Sequence, residues 1–386
     1  MPSVLFINRV YPPDEGATGQ LLFELSEALA REGWRVTVLT VGTPSVRRSP
    51  TPGVWVHRVH GLPFTRASLW RRALSYISLY PAVLWRALRL PRHDVVVTLT
   101  DPPMLLTLGP LLKFWKRARL VHWAQDVYPE VAEELGVLRK NGFLSRLFRV
   151  LSTWSLRRHD QIIAVGRCMK VRLRDRGIEE SKITVIPNWA VGIFSTPLPT
   201  ADSQSFFTVM YSGNFGLAHP FEAIIEAVKL LEAASAPVRF VFAGAGPKLD
   251  SVRTALVNCA NVEFRPPVAL ENLPAALAVA DAHLACMNET LIGLVVPSKI
   301  YGALAVGRPC IFLGPRESEA ARIISELKCG LVLDPRTGGS ELAAVLQRWA
   351  NRDSEYFLLR SACAAVANHS GVPLSDFLRV LSPASH

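Results

Sequence analysis

The sequence contains no uninterrupted apolar run of the roughly 18 to 20 residues that a helix needs to cross a bilayer. Apolar residues nevertheless make up 49% of the chain, which is a high share for a protein without such a run. The amino-terminal residues also lack the charged start and the small-residue cleavage site of a secretory signal, because they pass straight into an apolar segment. These absences exclude an integral membrane protein and predict a protein that stays in the cytoplasm.

Cysteine is scarce: six residues are spread along the 386 positions, without a C-x-x-C pair. Histidines do not cluster at the spacing that metal ligands require. The sequence therefore excludes a disulfide framework, and it predicts buried, reduced thiols rather than a metal site.

Acidic residues are outnumbered in one half of the chain only. Residues 1–200 carry 28 lysines and arginines against 15 acidic residues, a net charge of +13, whereas residues 201–386 carry 15 against 17, a net charge of −2. The overall charge of +11 therefore belongs to the first half. This asymmetry predicts an anionic partner, either a polyanion or an anionic lipid surface, for the first half.

Apolar segments of strand length alternate with amphipathic helical segments along both halves. In the first half, strands are predicted over residues 3–8, 34–40, 93–100 and 119–126. Residues 194–206 are polar and contain two prolines, and the alternation restarts after them, so we place an interdomain linker there. The pattern predicts an α/β protein of two Rossmann-like, doubly wound parallel-sheet domains, residues 1–200 and 201–386, with a final helix that can cross back to the first domain.

Ligands of open α/β sheets bind at the carboxyl ends of the strands, so two such domains predict a cleft between them as the binding site. The most informative segment is residues 287–319, where glycine-containing loops precede short helices and Lys299 opens one helix. Backbone amides, the helix dipole and a lysine together suit a diphosphate. The alternative interpretation, a capped helix with a solvated lysine, stays open on spacing alone.

Five segments, in order along the chain, resemble glycosyltransferase family 4, and within it the bacterial branch that builds O-antigen, capsule or exopolysaccharide units, including fucosamine and other amino-sugar transferases. The segments are YPPDEGATGQLLFELSEALAREGWRVTVLT, VGRCMKVRLRDRGIEESKITVIPNWAVGIF, YSGNFG, FVFAGAGP and PSKIYGALAVGRP. The resemblance implies a GT-B fold and a retaining transfer from a nucleotide-diphosphate sugar, with UDP as the expected nucleotide. Membrane contact by the basic first half, the predicted acceptor domain, would place the cleft beside a lipid-linked saccharide acceptor, expected to be a polyprenyl diphosphate, at the inner face of the cell membrane.

The resemblance also implies a set of donor-binding residues. Lys299 would neutralise the donor diphosphate, and Glu319 would bind a sugar hydroxyl, with Glu317 as its competitor; each glutamate could instead only cap a helix. Gly16 and Gly19 would let the first loop approach the donor phosphates and the acceptor. The remaining donor-site residues are Gly213, Asn214, Gly314, Pro315, Arg316 and Ser318.

Transfer through an oxocarbenium-like transition state needs a group near the anomeric carbon and a route for the acceptor proton. Asp126 is the best candidate in the sequence, although the leaving diphosphate could itself act as the base. His122 lies four residues earlier on the same strand face and could assist, but a strand histidine is more often a core residue. Tyr128 and Glu130 are candidates for contact with the acceptor.

The sequence departs from the family in three places. Asn214 and His219 stand where an Arg and a Lys are common, Gly302 breaks the usual Glu-x7-Glu pair, and Gln125 occupies a frequent histidine position. We interpret these as features of the polysaccharide branch. No Asp-x-Asp occurs, so the carboxylate pair that holds a metal in GT-A enzymes is missing, and we expect neither a metal nor another cofactor.

Three competing functions remain. A nicotinamide enzyme is disfavoured because FAGAGPKL lacks the third glycine of the dinucleotide fingerprint. A GT-B-like nucleotide-sugar epimerase would keep the donor site without an acceptor. A basic module that binds membranes or nucleic acid without catalysis would explain the charge but not the diphosphate loops, and we expect no nucleic-acid partner.

Residues 66–92 carry six arginines, no acidic residue and four large aromatics, which is the composition of a segment that lies on a membrane surface. The alternative is a set of ordinary helices packed on the sheet with solvated arginines. Residues 139–159 repeat the pattern and could widen the patch. The predicted lipid-contacting residues are Arg66, Trp70, Arg71, Arg72, Trp85, Arg86 and Arg89.

Overall fold

A computed structural model describes residues 1–14, 16–49, 51–60, 69–191, 206–336, 338–367 and 371–382. The chain divides into two compact units: residues 1–188, 293–296 and 372–386 form the first, and residues 189–292 and 297–371 form the second. The predicted linker at residues 194–206 lies outside the described residues, except for Phe206.

The first unit is built on an eight-stranded sheet in the order β3-β4-β2-β1-β5-β6-β7-β8, parallel except where β3 meets β4. Its strands are β1 (Ser3–Ile7), β2 (Arg35–Val41), β3 (Ser45–Arg48), β4 (Val54–Val59), β5 (Val95–Thr98), β6 (Arg119–Ala124), β7 (Gln161–Ala164) and β8 (Ile183–Val185). Its helices are α1 (Ala17–Arg31), α2 (Leu69–Arg89), α3 (Gly109–Lys116), α4 (Glu130–Glu134), α5 (Phe143–Arg158) and α6 (Arg167–Asp175).

The second unit contains a six-stranded sheet in the order β11-β10-β9-β12-β13-β14, parallel throughout. Its strands are β9 (Phe207–Asn214), β10 (Val238–Ala245), β11 (Val262–Arg265), β12 (Ala282–Cys286), β13 (Cys310–Leu313) and β14 (Gly330–Leu333). Its helices are α7 (Glu222–Ala233), α8 (Leu249–Ala255), α9 (Leu273–Ala278), α10 (Lys299–Ala305), α11 (Glu319–Glu326), α12 (Gly338–Ala350) and α13 (Ser354–Ala367).

The last helix, α14 (Leu374–Leu381), belongs to the first unit. It buries Phe377, whose ring meets that of Trp123 on β6 edge-on, with the centroids 4.9 Å apart. The short segment 293–296 also packs in this unit, where the Val127 amide donates to the Leu294 carbonyl over 2.9 Å. The first unit is therefore assembled from three separate stretches of the chain.

Central strands of both sheets are buried on both faces, as the nearly continuous apolar runs of β1, β12 and β13 require. Each unit has its own core: one cluster lies under α2 and α3 of the first unit, and an aromatic-rich cluster lies under α7 and α12 of the second. The predicted fold class, two doubly wound parallel-sheet domains, is confirmed. In both units the carboxyl ends of the strands carry the polar and glycine residues considered next.

Candidate active site

The carboxyl ends of β1 and β5 hold a doubly hydrogen-bonded ion pair. The Arg9 guanidinium donates from Nε and Nη2 to the two oxygens of Asp101, each over 2.7 Å. The side chains of Arg9 and Asp101 are about one fifth exposed, so the pair is only partly screened by water. It lies where the strand order of this sheet reverses, β2-β1-β5, which is the usual ligand position in an open α/β sheet.

Asp126 follows β6, the next strand in the sheet, and its carboxyl is largely enclosed by protein. This loss of water raises the pKa of Asp126 to about 7, and the negative charge of Asp101 contributes in the same direction. No described residue forms a hydrogen bond or an ion pair with the Asp126 side chain. A carboxyl that titrates near neutral pH and has no protein partner can accept or donate a proton.

The residue before Asp126 is held by a buried pair of amides. Gln125 and Asn188 exchange two hydrogen bonds, of 3.0 Å and 2.8 Å, and the Gln125 backbone amide donates to Thr100 Oγ1 over 3.3 Å. Asn188 comes after β8, so the pair ties the ends of β6 and β8 together. These contacts fix the chain immediately before Asp126.

The structure places His122 in the core. Its ring is 2% exposed, Nδ1 lies 2.9 Å from the Thr98 carbonyl oxygen, and the ring meets that of His159 at a centroid distance of 5.6 Å. Burial lowers the pKa of His122 to about 3, so the ring is neutral at ordinary pH. Of the two interpretations drawn from the sequence, this geometry favours the structural one.

Glu130 is buried in an ion-pair network at the start of α4. Its carboxylate oxygens lie 3.2 Å from Arg176 Nη1 and 3.5 Å from Arg149 Nε, and Arg176 Nη1 also donates to the Tyr128 carbonyl oxygen. The network joins α4 to α5 and to the end of α6. Since two arginines already occupy the Glu130 carboxylate, the structure gives this residue a structural role, and acceptor contact by Glu130 or Tyr128 stays a prediction.

Gly16 and Gly19 pack against Val10 in the loop after β1. A Cβ on either glycine would lie 2.9 Å from the Val10 Cγ1 atom, so only glycine lets the first turn of α1 approach this loop. This local packing explains both glycines without a ligand, and their predicted approach to donor phosphates is untested.

In the second unit, three glycines allow the carboxyl ends of β9 and β10 to approach closely. Gly213 and Gly244 have positive φ angles, of 122° and 143°, and a Cβ on Gly244 would lie 1.9 Å from the Gly213 oxygen. Gly246 packs in the same way on Asn214 and Phe215. The result is an exposed stretch of backbone at Gly213 and Asn214, where β9 ends; we call it the Gly213 turn.

Lys299 reaches this turn from the first position of α10. Its Nζ lies 4.9 Å from the centre of the Tyr211 ring, and its Cε would be 3.3 Å from a Cβ on Gly213. Burial lowers the pKa of Lys299 to about 8. The ammonium group forms no hydrogen bond or ion pair with a described residue, so a partly desolvated cation is available to an anion at the turn.

His219 lies beside the same turn and is uncharged. Its Nδ1 accepts a hydrogen bond of 3.2 Å from the Gly216 amide, and burial, together with the nearby charge of Lys299, lowers its pKa to about 3. The position that often carries a lysine in the family is therefore neutral here, and Lys299 is left as the cation closest to Gly213.

The loop after β13 leads into α11. Ser318 caps this helix: its hydroxyl accepts from the Ala321 amide over 3.3 Å and donates to the Pro315 carbonyl over 2.7 Å. Glu319 is buried in the first turn, whereas Arg316 and Glu317 are exposed, and Gly314 is buried. The capping role therefore belongs to Ser318 rather than to either glutamate, and sugar binding by this loop stays a prediction.

The predicted lipid-contacting residues are described in part. Arg66 lies outside the described residues, as do the side chains of Trp70, Arg71 and Arg72. Trp85 is 60% exposed with the Arg89 guanidinium 4.0 Å above its ring, and Arg86 Nη2 contacts His57 Nδ1 at 2.8 Å. Across the described parts of the chain, no helix has both the length and the apolar character needed to span a bilayer.

Sequence reasoning overlooked Arg9 and Asp101 and gave Gln125 no role. All three follow strands immediately or within a few residues, so the rule that polar residues at carboxyl ends of parallel strands face the ligand could have found them. Among the described residues, no group of three or more His, Cys, Asp or Glu side chains is placed to hold a metal ion.

Comparison with a solved structure supports the GT-B fold for this chain. The solved structure of HepE from Anabaena, in complex with UDP and glucose, matches with a TM-score of 0.69 at 16% sequence identity, covering 98% of both chains. At that identity the match shows the fold alone.

Two family models together match most of the chain. The model described as Glycosyl transferase 4-like domain matches residues 16–189, and the model described as Glycosyl transferases group 1 matches residues 207–352. The chain therefore belongs to the glycosyltransferases that combine a Glycosyl transferase 4-like domain with a Glycosyl transferases group 1 domain. The resemblance that the five sequence segments indicated is thereby confirmed.

Two curated relatives carry names from polysaccharide synthesis or glycosyl transfer. Probable glycosyltransferase WbjE of Pseudomonas aeruginosa is 31% identical over 255 residues, which cover 63% of this chain and 62% of the relative. Putative colanic acid biosynthesis glycosyl transferase WcaI of Escherichia coli is 25% identical over 353 residues, covering 81% of this chain and 83% of the relative. The chain therefore aligns with less than two thirds of the length of WbjE.

Proposed function

We propose that this protein is a retaining, metal-independent glycosyltransferase that moves a hexosyl or N-acetylhexosaminyl group from a nucleotide-diphosphate sugar to a lipid-linked saccharide in bacterial surface polysaccharide synthesis. The observation that carries the proposal is the Lys299 ammonium, partly desolvated and without an anionic partner, beside the Gly213 turn. UDP is the proposed nucleotide, since the structurally similar HepE binds UDP. Surface polysaccharide synthesis is supported by the name of the relative WcaI.

Lys299 would stabilise the leaving diphosphate. An ammonium group that has lost part of its hydration gains more from a phosphate than a fully solvated lysine does, because the cost of desolvation is already met by the fold. The same charge acts again in the transition state, when negative charge builds on the diphosphate as the glycosidic bond breaks. With this cation in place, the reaction has no need of a metal.

Asp126 would serve at the reacting centre of the sugar and acceptor. With a pKa of about 7, it is a mixture of ionised and protonated forms at neutral pH, so it can receive the proton of the acceptor hydroxyl. A leaving diphosphate acting as the base remains the alternative. If Asp126 is the base, the Arg9–Asp101 pair would influence the step, since the Asp101 charge helps to set the pKa of Asp126.

The acceptor is proposed to be a saccharide on polyprenyl diphosphate, reached by a protein bound peripherally to the inner face of the cell membrane. The excess of basic residues in the first half, +13 over residues 1–200, supports an anionic surface as partner. Nucleic acid is not part of this proposal, since charge alone would not explain the desolvated lysine of the second unit.

The test is calorimetric titration of UDP and of uridine into the protein and its Lys299→Ala variant. UDP affinity is expected to fall roughly 10- to 100-fold in the variant, as for the loss of a hydrogen bond to a charged group. Uridine has no diphosphate, so its affinity should be unchanged. Because burial holds the pKa of Lys299 near 8, UDP affinity of the unaltered protein should also decline from pH 7.5 to 9.

The control is Lys229→Ala, which removes an exposed lysine from α7 in the same unit. UDP binding that is equal in the Lys299 and Lys229 variants would contradict the donor site. Conversion of a nucleotide sugar in the absence of any acceptor would instead point to a nucleotide-sugar epimerase.

A further inference from the structure

Helix α5 directs its large apolar side chains toward the solvent rather than toward the core. Its buried face consists largely of small hydroxyl residues: Ser152 and Ser155 are fully buried, and Ser145 is 1% exposed. Its solvent face instead carries a continuous row of large apolar side chains at helical spacing, which we call the outer stripe. The outer stripe consists of Phe143, Leu144, Leu147, Val150, Leu151 and Trp154.

This arrangement is the reverse of what the hydrophobic effect produces in a helix that faces only water. Phe143 is 81% exposed and Val150 is 66% exposed, so much of the outer stripe is in contact with solvent. The three serines show that α5 packs closely along most of its buried side, where Leu156 is the large residue. A row of this length on the open side indicates a surface that is covered by something else.

Helix α3 extends the same kind of surface. Leu111, Phe114 and Trp115 share one face of α3, and all three are exposed. The two helices lie side by side, because Lys113 of α3 donates to the carbonyl oxygen of Arg158 at the end of α5 and pairs with Asp160. A Cβ on Gly109 would lie 2.9 Å from His159 Nε2, which shows how closely the start of α3 approaches the end of α5.

All charged side chains of α3 and α5 are basic. Neither α3 nor α5 contains an acidic residue. Arg149 is engaged with Glu130 and Glu133, but Arg146, Arg157 and Arg158 form no ion pair with a described residue. A groove along α5 is lined by these arginines together with Val150 and Trp154.

This combination selects one kind of partner. A second copy docking through the same surface would bring arginines against arginines, which is unfavourable. Single-stranded nucleic acid is bound by aromatic platforms in charged grooves, but it offers nothing to Leu144, Leu147 and Val150. An anionic bilayer satisfies both features, since apolar side chains enter the boundary of headgroups and acyl chains while arginines contact lipid phosphates.

We propose that the outer face of α3 and α5 is the surface on which this protein docks to an anionic phospholipid bilayer. The inference deepens the proposed function by assigning its membrane contact, and it moves the main contact away from the segment 66–92. In that segment Leu79, Val83 and Ala87 are buried, so the described part of α2 has its apolar face turned inward.

The experiment is cosedimentation of the full chain with vesicles of phosphatidylcholine alone and with vesicles containing phosphatidylglycerol, at low and high salt. Three variants are compared. The apolar variant combines Phe143→Ser, Leu147→Ser and Val150→Ser, and the basic variant combines Arg146→Gln, Arg157→Gln and Arg158→Gln. The α2 variant combines Ile77→Ser, Trp85→Ser and Arg89→Gln.

A matched control for the apolar variant lies in the second unit, where Val257, Phe357 and Leu358 are exposed and can be changed to serine. The unaltered protein should bind the anionic vesicles and release them in high salt. The basic variant should lose about 100-fold in affinity, as three arginines at a lipid surface predict, and the apolar variant at least about 10-fold. The α2 variant and the control should bind within about twofold of the unaltered protein.

Several outcomes would overturn the proposal. They are no vesicle binding, binding that does not depend on lipid charge, loss of binding in the α2 variant alone, and self-association of the chain that the apolar variant abolishes. Circular dichroism and thermal unfolding show whether each variant is folded. UDP titration separates the two proposals, since UDP binding without vesicle binding defeats only the docking surface, whereas vesicle binding without UDP binding by a folded protein defeats only the donor site.

Discussion

Replacing Asp126 with asparagine should stabilise the protein at alkaline pH. The fold raises the pKa of this carboxyl from an ordinary value of 3.8 to about 7, chiefly by removing it from water. Ionising it inside the fold is therefore unfavourable, whereas the unfolded chain ionises it freely. Asparagine has nearly the same shape and never ionises, so the variant avoids this cost.

The sign and the size follow from proton linkage. Between pH 4 and 7 the folded state holds a proton that the unfolded state has released, so the free energy of unfolding decreases as pH rises. A shift of about three pKa units corresponds to about 4 kcal/mol, at about 1.4 kcal/mol for each unit. The advantage of the variant should begin near pH 4, amount to about 2 kcal/mol at pH 5, and level off near 4 kcal/mol above pH 7.

The assay is urea unfolding of Asp126→Asn and the unaltered protein at pH 5 and pH 8.5. The quantity to compare is the change in the stability difference between the two pH values, about 2 to 3 kcal/mol, because pH-independent effects of the substitution cancel in it. Asp175→Asn, at an exposed position at the end of α6, is the control and should give no such change. A difference that is constant with pH, or a variant that loses stability relative to the unaltered protein as pH rises, would refute the desolvation of Asp126.

The remaining predictions concern catalysis, the ion-pair network and metal. Asp126→Asn should keep UDP affinity but lower turnover by roughly 100-fold or more, measured with a nucleotide sugar and a lipid-linked acceptor, and unchanged turnover would remove Asp126 from the mechanism. Glu130→Ala should lower the free energy of unfolding by about 3 to 5 kcal/mol, because it leaves Arg176 buried without its partner; a stable variant with a raised acceptor KM would restore the acceptor role instead. Treatment with EDTA should leave the transfer rate unchanged, and a rate rescued only by a divalent cation would contradict the metal-independent mechanism.

The fold could be predicted because its cause is local. Strands such as β1 and β12 are short apolar runs bounded by turns, and a run buried on both faces can only belong to a parallel sheet covered by helices. The order of the strands was not accessible in this way. The placement of α14 in the first unit depends on the contact of Phe377 with Trp123, far away in the sequence.

The sequence was enough to name candidate site residues, but their pKa values depend on the tertiary structure. Lys299 and Asp126 could be named from the sequence, since their positions after strands and before helices follow from the pattern. The pKa values of these two groups could not be predicted. Burial of Lys299 against Tyr211 and Gly213, and the effect of the Asp101 charge on Asp126, arise only when distant segments of the chain meet. The Arg9–Asp101 pair, 92 residues apart, was overlooked for the same reason.

The membrane prediction also rests partly on composition and partly on the tertiary structure. Composition by itself determined that the first half is basic and that its segments 66–92 and 139–159 contain no acidic residue, since charge needs no geometry to count. Composition also indicated residues 139–159 as an extension of the membrane-facing patch, but it does not show whether the apolar side chains of a helix face a core or the solvent. Only the tertiary structure decided that serines occupy the buried side and that Phe143 and Val150 point outward, because the direction in which a helix faces is set by the sheet on which it packs.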